Sequence, residues 1–360
     1  MTALYQASHK NLKESLEERM FDVESFLEIY NVIAKDIFLL DRANNNSGLP
    51  FNGSVYKDYL FPTNLNNPLT YEECCLKRAE EIIERSKKVN KKIALMWSGG
   101  IDSTLMLISF LKLNVDKNQI IILLSPESIS ENQKFYETFV RRKFSIESSD
   151  NYLKKFDGNH LIVSGEHNDQ LFGTDISMDY YKEYGLASLN QPYSRNNITA
   201  FFKLKRCSDH AANLWFDFLE HSMKSSPKQL ISIGDVFWWY NFNLKWQHVG
   251  LKLFLRMSEN QIESTVGEDL FYTFFSSTDF QVWALTTNEN LTVAKDTPKR
   301  LIYEFDKDEN YYKNKIKIPS ATIFYSKPMA AALTDEYKLI SFSNFNNLDF
   351  YNSNNFFNMY

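Results

Sequence analysis

Two short glycine-bearing segments of this chain contain the residue types that bind phosphate groups and metal ions. The first covers residues 98–104 (SGGIDST), and the second covers residues 164–173 (SGEHNDQLFG). Glycine accounts for only 11 of the 360 residues, and four of these glycines lie in the two segments: Gly99, Gly100, Gly165 and Gly173. Because glycine is scarce in the rest of the chain, its use here predicts loops in which the backbone closely approaches another group.

The first segment has the components of an anion-binding loop. Its glycines allow close backbone approach, and a helix that begins directly after them directs its free N–H groups and its dipole toward an anion. Ser98, Ser103 and Thr104 add hydroxyl donors. Asp102 would repel a phosphate unless a divalent cation lay between them, so the residue types imply Mg²⁺. The alternative is an ordinary structural turn, which is disfavoured because six residues occur in this order between a strand and a helix.

The elements around these segments predict an α/β fold. Three apolar runs are predicted as buried strands, and each leads into a helical pattern or into one of the two segments: 92–97 (KIALMW), 119–124 (QIIILL) and 160–163 (HLIV). Strands that alternate with helices form a parallel sheet with helices on both faces. Ligands bind such sheets at the carboxyl ends of the strands, which is where both segments lie.

Helical patterns divide the rest of the chain. A capping box formed by Thr70 and Glu73 predicts a charged amphipathic helix that ends near Lys88. Further helices are predicted over residues 8–40, after residue 104, near 130–143 and over most of 174–340, where the aromatic run 236–246 is predicted to be a core helix. The predicted units are a helical and loop extension (1–69), the α/β domain with a helical C-terminal part (70–340), and an Asn- and Phe-rich tail (341–360).

Composition excludes several classes of protein and partner. No run of about 18 apolar residues indicates a membrane span, and the N-terminal sequence lacks the pattern of a signal peptide. The three cysteines, Cys74, Cys75 and Cys207, form neither a disulfide framework nor a metal-binding pair, so we expect a cytoplasmic protein. The formal net charge of −5 disfavours nucleic acid as a partner.

Both segments resemble motifs of one enzyme family. Residues 98–103 resemble the pyrophosphate loop of the N-type ATP pyrophosphatases, which split ATP between its α and β phosphates. Residues 164–173 resemble the asparagine synthetase pattern Ser-Gly-Glu-Gly-x-Asp-Glu-Leu-Phe-Gly, although His167 replaces the usual Gly and Gln170 the usual Glu. The resemblance extends over residues 70–310. It implies an adenine nucleotide α-hydrolase-like fold, with ATP and Mg²⁺ as cofactors.

The resemblance also implies a role for each matched residue. Asp102 and Asp169 would bind magnesium on the pyrophosphate, and Glu166 would act as the acid or base at the reacting carbonyl. A looser match near the C-terminus implies a lysine that neutralises charge during adenylylation, for which Lys299 is the first candidate and Lys295 the second. The residues implied to line the ATP and pyrophosphate site are Met96, Trp97, Ser98, Gly99, Gly100, Ile101, Asp102, Ser103, Thr104, Leu124, Ser164 and Gly165.

The implied function is that of an asparagine synthetase-like amide ligase. Such an enzyme activates a small-molecule carboxylate as an acyl-AMP, with loss of pyrophosphate, and passes the acyl group to ammonia or an amine. Thr2 stands where the family's glutaminase domain has its nucleophilic cysteine, so the expected nitrogen source is free ammonia, a partner that supplies ammonia, or an amino group of the substrate. Two alternatives remain: a nucleobase- or tRNA-modifying enzyme with the same loop, and a nucleotide-binding protein without turnover.

Overall fold

The computed structural model describes residues 2–6, 25, 41–43, 60–66, 68–149, 158–247, 249–250, 270–287, 295–315, 329–333 and 339–342. Eight strands lie within these residues: β1 (Thr2–Gln6), β2 (Lys92–Met96), β3 (Ile120–Leu124), β4 (Ser145–Ser148), β5 (His160–Ser164), β6 (Phe271–Thr273), β7 (Met329–Leu333) and β8 (Leu339–Phe342). Strands β2 to β6 form a five-stranded sheet in which every pair is parallel. The predicted α/β class is therefore confirmed.

The order of the strands in the parallel sheet is β4-β3-β2-β5-β6. Strand β2 lies at the centre, and its last residue, Met96, is opposite Leu123 of β3 and Ser164 of β5. The three strands predicted from the sequence are thus neighbours with their carboxyl ends aligned. Strands β4 and β6 were not predicted, because the side chains of β4 are largely exposed and the three residues of β6 are too few to show a period.

Thirteen α-helices have both ends within the described residues, and we number them along the chain. They are α1 (Tyr71–Val89), α2 (Ile101–Lys112), α3 (Pro126–Glu131), α4 (Gln133–Phe135), α5 (Asn168–Phe172), α6 (Thr174–Tyr184), α7 (Leu186–Leu189), α8 (Arg195–Leu204), α9 (Asp209–Met223), α10 (Ile233–Trp239), α11 (Thr278–Thr286), α12 (Asp296–Asp306) and α13 (Glu309–Asn314). Single π turns extend α4 and α10, over Tyr136–Val140 and Tyr240–Leu244. The mostly helical character predicted after residue 174 is therefore confirmed where the chain is described.

The helix boundaries follow local signals with one exception. Thr70 and Glu73 form the predicted capping box, with the Thr70 hydroxyl accepting from the Glu73 N–H and the Glu73 carboxylate accepting from the Thr70 N–H. The helix predicted near residues 130–143 is confirmed over 133–140, where α4 continues into a π turn, but it starts only after Asn132. The side chain of Asn132 accepts from the N–H of Phe135 and starts a new helix, and its own backbone leaves the helical region (φ −144°, ψ 66°).

Aromatic side chains form much of the core, as predicted for residues 236–246. Every side chain of α10 after Asp235 and of the following π turn is buried. Tyr71, at the start of α1, lies in a second aromatic group. Its ring centroid is 4.7 Å from that of Trp283 and 5.5 Å from those of Phe172 and Phe280. Helices α1, α5 and α11 are therefore packed together directly behind the loop that follows β5.

Part of the segment before residue 70 is inserted into this core. The buried Arg42 guanidinium donates to the Gln281 side chain at 2.8 Å and to the Phe242 carbonyl at 2.7 Å, and it lies 4.5 Å from the centre of the Trp246 ring. Burial lowers the pKa of Arg42 well below its usual value. The helix predicted over residues 8–40 lies, apart from Ser25, outside the described residues, as does the tail beyond residue 342.

The first and last described strands form a separate sheet. Strand β1 pairs with β7, and β7 pairs with β8, both in antiparallel fashion. This sheet joins residues 2–6 to residues 329–333 and 339–342. Strand β8 therefore crosses residue 341, the predicted boundary between the α/β domain and the tail. A scan of the described helices finds none that combines the length and the apolar character needed to cross a membrane.

Candidate functional site

The two glycine-bearing segments meet at the carboxyl edge of the parallel sheet. One leaves β2 and enters α2, and the other leaves the neighbouring strand β5 and enters α5. Gly165 lies so close to the first turn of α2 that a Cβ atom there would be 3.0 Å from the backbone nitrogen of Ser103. A side chain at this position would push the loops apart, so glycine is needed for their contact.

The loop after β2 is closed by hydrogen bonds among its own residues. The Ser103 hydroxyl lies 3.1 Å from the Ser98 backbone nitrogen, which donates to it, and 3.0 Å from the Ser98 hydroxyl. Gly99 has a φ of +76°, and a Cβ atom there would lie 2.2 Å from the Ser128 carbonyl oxygen. Gly100 precedes α2 with a φ of −73° and provides no side-chain cap. The first N–H groups of α2 therefore remain available to an anion.

Two residues of the predicted ATP site have buried side chains: Thr104, predicted to offer a hydroxyl donor to phosphate, and Trp97, predicted to line the adenine and ribose through its backbone. Thr104 is fully buried, and its hydroxyl accepts from the indole N–H of Trp97 at 3.2 Å. The ring of Trp97 stacks near Phe135, and its backbone N–H donates to the Leu123 carbonyl at 2.9 Å. Trp97 can therefore offer a ligand only its carbonyl group, and Thr104 supports the loop from below because its hydroxyl does not reach the surface.

The other predicted lining residues are at the sheet edge. Met96 and Ser164 are opposite each other at the ends of β2 and β5. Leu124 ends β3, and its side chain is buried, as is that of Ile101 in the first turn of α2. Buried apolar side chains at these two positions leave only backbone groups for contact with a ligand.

A buried lysine joins the two aspartates of the predicted metal site. The Lys295 ammonium lies 2.6 and 2.7 Å from the two carboxylate oxygens of Asp102 and 2.6 Å from Oδ1 of Asp169. The Lys295 side chain is 3% exposed, whereas those of the aspartates are 24% and 25% exposed. Burial raises the pKa of Asp102, Lys295 opposes this rise, and the negative charge of Asp169 adds to it.

Of the two lysine candidates, Lys295 contacts the two aspartates and Lys299 does not. Lys299, the first candidate from the sequence, lies one helical turn after Lys295 and makes no ion pair with any described residue. Partial burial lowers its pKa, Asp296 opposes that change, and the positive charges of Lys295 and Lys315 lower the pKa further. Lys299 is therefore near the site without contacting either aspartate, because the N-cap residue of α12, Lys295, faces them and Lys299 lies one turn further along the helix.

Two residues that the sequence analysis did not select hold Asp102 in position. The Asn168 side-chain amide donates to Oδ1 of Asp102 at 2.6 Å, and the Tyr71 hydroxyl donates to the Asn168 side-chain carbonyl at 2.5 Å. Both residues are buried. On the other aspartate, Oδ1 of Asp169 accepts from the Thr174 hydroxyl at 2.7 Å. No spacing rule links Tyr71 to Asp102, so only the packing of α1 against α5 reveals the contact.

The C-terminal helix α13 forms a further wall beside the first loop. The Tyr311 hydroxyl donates to the Gly99 carbonyl at 3.1 Å. Lys315 forms an ion pair of 2.5 Å with Glu131, whose carboxylate oxygen lies 3.4 Å from where a Cβ atom of Gly100 would be. The sequence analysis did not select these three side chains, which come from α3 and from the end of α13.

The two departures from the asparagine synthetase pattern are buried. His167 adopts the left-handed conformation with a φ of +77°. Its Nε2 atom lies 2.9 Å from the Trp246 carbonyl, and the two rings are 4.4 Å apart. Gln170 is 5% exposed, so its side chain belongs to the packing of α5. Glu166 is half-buried in the same loop, between Gly165 and His167.

The donor set fits a magnesium ion that is shared with phosphate. Asp102 and Asp169 direct carboxylate oxygens toward one point, the position of the Lys295 ammonium. In the described part of the chain, no group of three or more His, Cys, Asp or Glu side chains is arranged to hold a metal ion. Mg²⁺ is usually bound by one or two carboxylates together with substrate phosphates, so two aspartates suffice for such a site.

Comparison with known proteins gives no match: no family model matches the chain, and neither a curated protein nor a solved structure does. The site residues themselves must therefore carry the functional assignment. The informative features are the two aspartates, the buried lysine between them and the open start of α2.

Proposed function

We propose that this chain is an ATP-dependent amide ligase of the asparagine synthetase type, which forms an acyl-AMP and releases pyrophosphate. One observation carries the proposal. Two motifs that are 60 or more residues apart in the sequence meet at the carboxyl edge of a parallel sheet. There, Asp102 and Asp169 both face the buried ammonium of Lys295. A solvated surface turn would not bring two carboxylates to one point in this way.

The first loop supplies the proposed phosphate site. The N–H groups of Ile101, Asp102 and Ser103 precede the first intrahelical hydrogen bond of α2, which joins the Thr104 N–H to the Gly100 carbonyl. These free donors and the helix dipole favour a polyphosphate. Asp102 and Asp169 would hold Mg²⁺, which would neutralise phosphate charge when bound. The adenine and ribose would lie against the backbone at the ends of β2 and β5.

The chemistry proposed for the first step is adenylylation of a carboxylate. A carboxylate oxygen attacks the α phosphorus, the bond from this phosphorus to the oxygen bridging to the β phosphorus breaks, and pyrophosphate leaves. Lys295 is the group of this chain best placed to stabilise the charge that develops, because its ammonium already lies among the charged groups of the site. Lys299 would contribute a second, more distant positive charge.

The second proposed step transfers the acyl group to nitrogen. Ammonia or an amine attacks the acyl carbonyl, AMP leaves with the electrons of the broken C–O bond, and one proton must be removed from the nitrogen. Glu166 is the proposed acceptor of this proton because it lies in the loop after β5, beside Gly165 at the contact with α2. This assignment takes the acceptor from the chain itself and needs no further cofactor.

The rival assignments are less well supported by the geometry. The binder without turnover was suggested by His167 and Gln170, but both side chains are buried, and His167 retains the left-handed backbone that glycine would otherwise supply. The nucleobase- or tRNA-modifying enzyme would share the first loop, but the formal net charge of −5 disfavours a nucleic-acid substrate. The parallel sheet with both loops at its carboxyl edge also supports the proposed adenine nucleotide α-hydrolase-like fold.

The decisive experiment identifies the nucleotide products. Purified protein is incubated with ATP, Mg²⁺ and a panel of amino acids and other small carboxylates, with and without ammonium, and the products are separated by chromatography. The proposal requires AMP and pyrophosphate in equal amounts, together with an amide product. Formation of ADP and orthophosphate, or no carboxylate-dependent turnover across the panel, would overturn it.

An aspartate pair provides the matched control. Asp102→Asn should lower pyrophosphate release by roughly a hundredfold or more, because a charge that acts in the site is lost. Asp279→Asn removes an aspartate that pairs with Lys77 at 2.8 Å on the outside of α1 and α11, and it should leave the rate unchanged. Equal rates in the two variants would contradict the assignment of Asp102.

A further inference from the structure

We propose that Lys295 is a tethered cation that holds the divalent-cation position of the site before nucleotide binds and thereby suppresses the binding of free metal. This inference rests on the proposed Mg²⁺-nucleotide site and adds a mode of regulation to it. Its consequence is that metal and nucleotide bind together, because the lysine gives up the aspartates only when phosphate groups offer it another partner.

The Lys295 ammonium and a metal ion would compete for the same position between Asp102 and Asp169. The Lys295 ammonium is within 2.7 Å of three carboxylate oxygens, two from Asp102 and one from Asp169. A magnesium ion bridging the same carboxylates would need oxygens at about 2.1 Å. The ammonium and the metal cannot both occupy the point at which the two carboxylates converge, so binding of one displaces the other.

Lys295 has an unfavourable backbone conformation and an unfavourable electrostatic environment. Lys295 occupies the N-cap of α12 in the left-handed conformation (φ 52°, ψ 52°), which is costly for a residue with a Cβ atom. A positive charge at a helix N-terminus also opposes the helix dipole, and this side chain is 3% exposed. The two carboxylates are the interactions that offset these costs. Once another cation neutralises them, little else retains the ammonium in place.

The two carboxylates also accept hydrogen bonds from residues other than Lys295. Asp102 accepts from Asn168 at 2.6 Å, and Asp169 accepts from Thr174 at 2.7 Å. These neutral donors hold both side chains when the ammonium leaves. The site is therefore already organised for a cation, and the principal barrier to metal binding is the competing charge of Lys295.

Phosphate oxygens are the expected partner of Lys295 once its ammonium has left the aspartates. Lys295 directly precedes α12, whose later residue Lys299 is close enough to Lys315 for their charges to interact. Like charges in this region leave phosphate oxygens as the favourable partners for a displaced ammonium. Metal and nucleotide binding should then be cooperative, and the coupling must act equally in both directions.

The test measures metal affinity without nucleotide. Mn²⁺, as a calorimetric probe that prefers the same oxygen ligands, is titrated into the full chain and into the Lys295→Met variant. We expect the variant to bind Mn²⁺ at least about tenfold more tightly than the unaltered protein, because a competing unit charge is removed from the carboxylates. Equal or weaker binding by a folded Lys295→Met protein would overturn the proposal.

Three further variants keep the result interpretable. Lys315→Met removes another largely buried lysine that pairs with one carboxylate, Glu131, and it should gain no Mn²⁺ affinity. Lys295→Arg keeps the charge and should stay close to the unaltered protein. The double variant Lys295→Met with Asp102→Asn should lose the gain. A gain in Lys315→Met, or a retained gain in the double variant, would place the metal elsewhere and refute the inference.

Thermal unfolding separates misfolding from a true negative result. Without metal, Lys295→Met should melt at a lower temperature because it leaves two carboxylates side by side, and saturating Mn²⁺ should restore most of this loss. No recovery would contradict the inference. The proposed enzymatic activity is tested separately, by carboxylate-dependent pyrophosphate release. If the protein releases pyrophosphate but Lys295→Met gains no metal affinity, only this inference is rejected. If Lys295→Met gains metal affinity but the protein releases no pyrophosphate, only the proposed function is rejected.

Discussion

The loop after β2 is closed by hydrogen bonds among its own residues and accepts a distant bond at Gly99, from Tyr311, whereas the loop after β5 is held by side chains from distant parts of the chain. In the first loop, hydrogen bonds connect Ser98, Gly100 and Ser103, all within six residues. In the second, Asn168 is held by Tyr71 and His167 is packed against Trp246, 97 and 79 residues away.

This difference indicates how each loop responds to change. The first loop depends on backbone conformation and small side chains, so substitutions within the loop should damage it most. The second loop depends on packing of α1, α10 and α11 around it, so substitutions far from it in the sequence should reach it. Asp102 connects the two loops, because it belongs to the first loop and accepts a hydrogen bond from Asn168 of the second.

The largest expected effect comes from the lysine that bridges the two loops. Lys295→Ala should lower the rate of pyrophosphate release by roughly a hundredfold or more, since it removes the positive charge proposed to stabilise the charge that develops during adenylylation. Lys299→Ala should cause a much smaller loss because its side chain forms no ion pair with a described residue. Steady-state rates at saturating ATP decide the matter, and a larger loss for Lys299 would restore the order predicted from the sequence.

The next effect tests whether the first loop is governed by its own backbone. Gly99→Ala should reduce the free energy of unfolding by about 3 kcal/mol, because it adds a side chain at positive φ and drives it into a carbonyl oxygen. Gly100→Ala should cost less than about 1 kcal/mol, since its φ of −73° is ordinary for alanine. Urea unfolding of both variants measures the difference. Similar losses would show that the loop conformation tolerates either side chain.

A smaller effect tests the remote support of the second loop. Tyr71→Phe removes the hydroxyl that donates to the buried Asn168 side chain, and it should destabilise the protein by about 1.5 kcal/mol. Amide chemical shifts should change in α5 and at Asp102, although residue 71 is far from both in the sequence. Shift changes confined to α1 would show that the second loop does not depend on this hydrogen bond.

The smallest expected effect is purely local. Hydrogen bonds from the Thr70 hydroxyl and N–H lower the pKa of the Glu73 carboxyl. This contribution to stability is present above the unfolded pKa and is lost as the pH falls through the folded pKa. In Thr70→Ala, NMR titration should show the pKa of Glu73 closer to its usual value, whereas the lowered pKa of Glu127, which is bonded to Ser125, should not move. An unchanged Glu73 would contradict the capping assignment.

Elements with strong local signals were predicted well. The capping box of α1, the three apolar strands and the glycine loop after β2 each depend on a few consecutive residues. Elements without such signals were missed, because β4 is too exposed and β6 too short, and the helix predicted near residues 130–143 begins only after Asn132. The same limit applied to Thr104, whose hydroxyl was predicted to face phosphate but is buried beneath the loop.

The sequence by itself determined which residues could meet at the proposed phosphate and metal site, because the strand ends of a parallel sheet share one edge and the two glycine-bearing segments follow neighbouring strands. The tertiary structure decided which lysine reaches the aspartates, since the direction of α12 depends on the packing of its buried face and not on spacing from either motif. It also decided that Tyr71 and Asn168 support Asp102 and that Trp246 supports His167. Contacts of this range arise only when the helices pack around a common core.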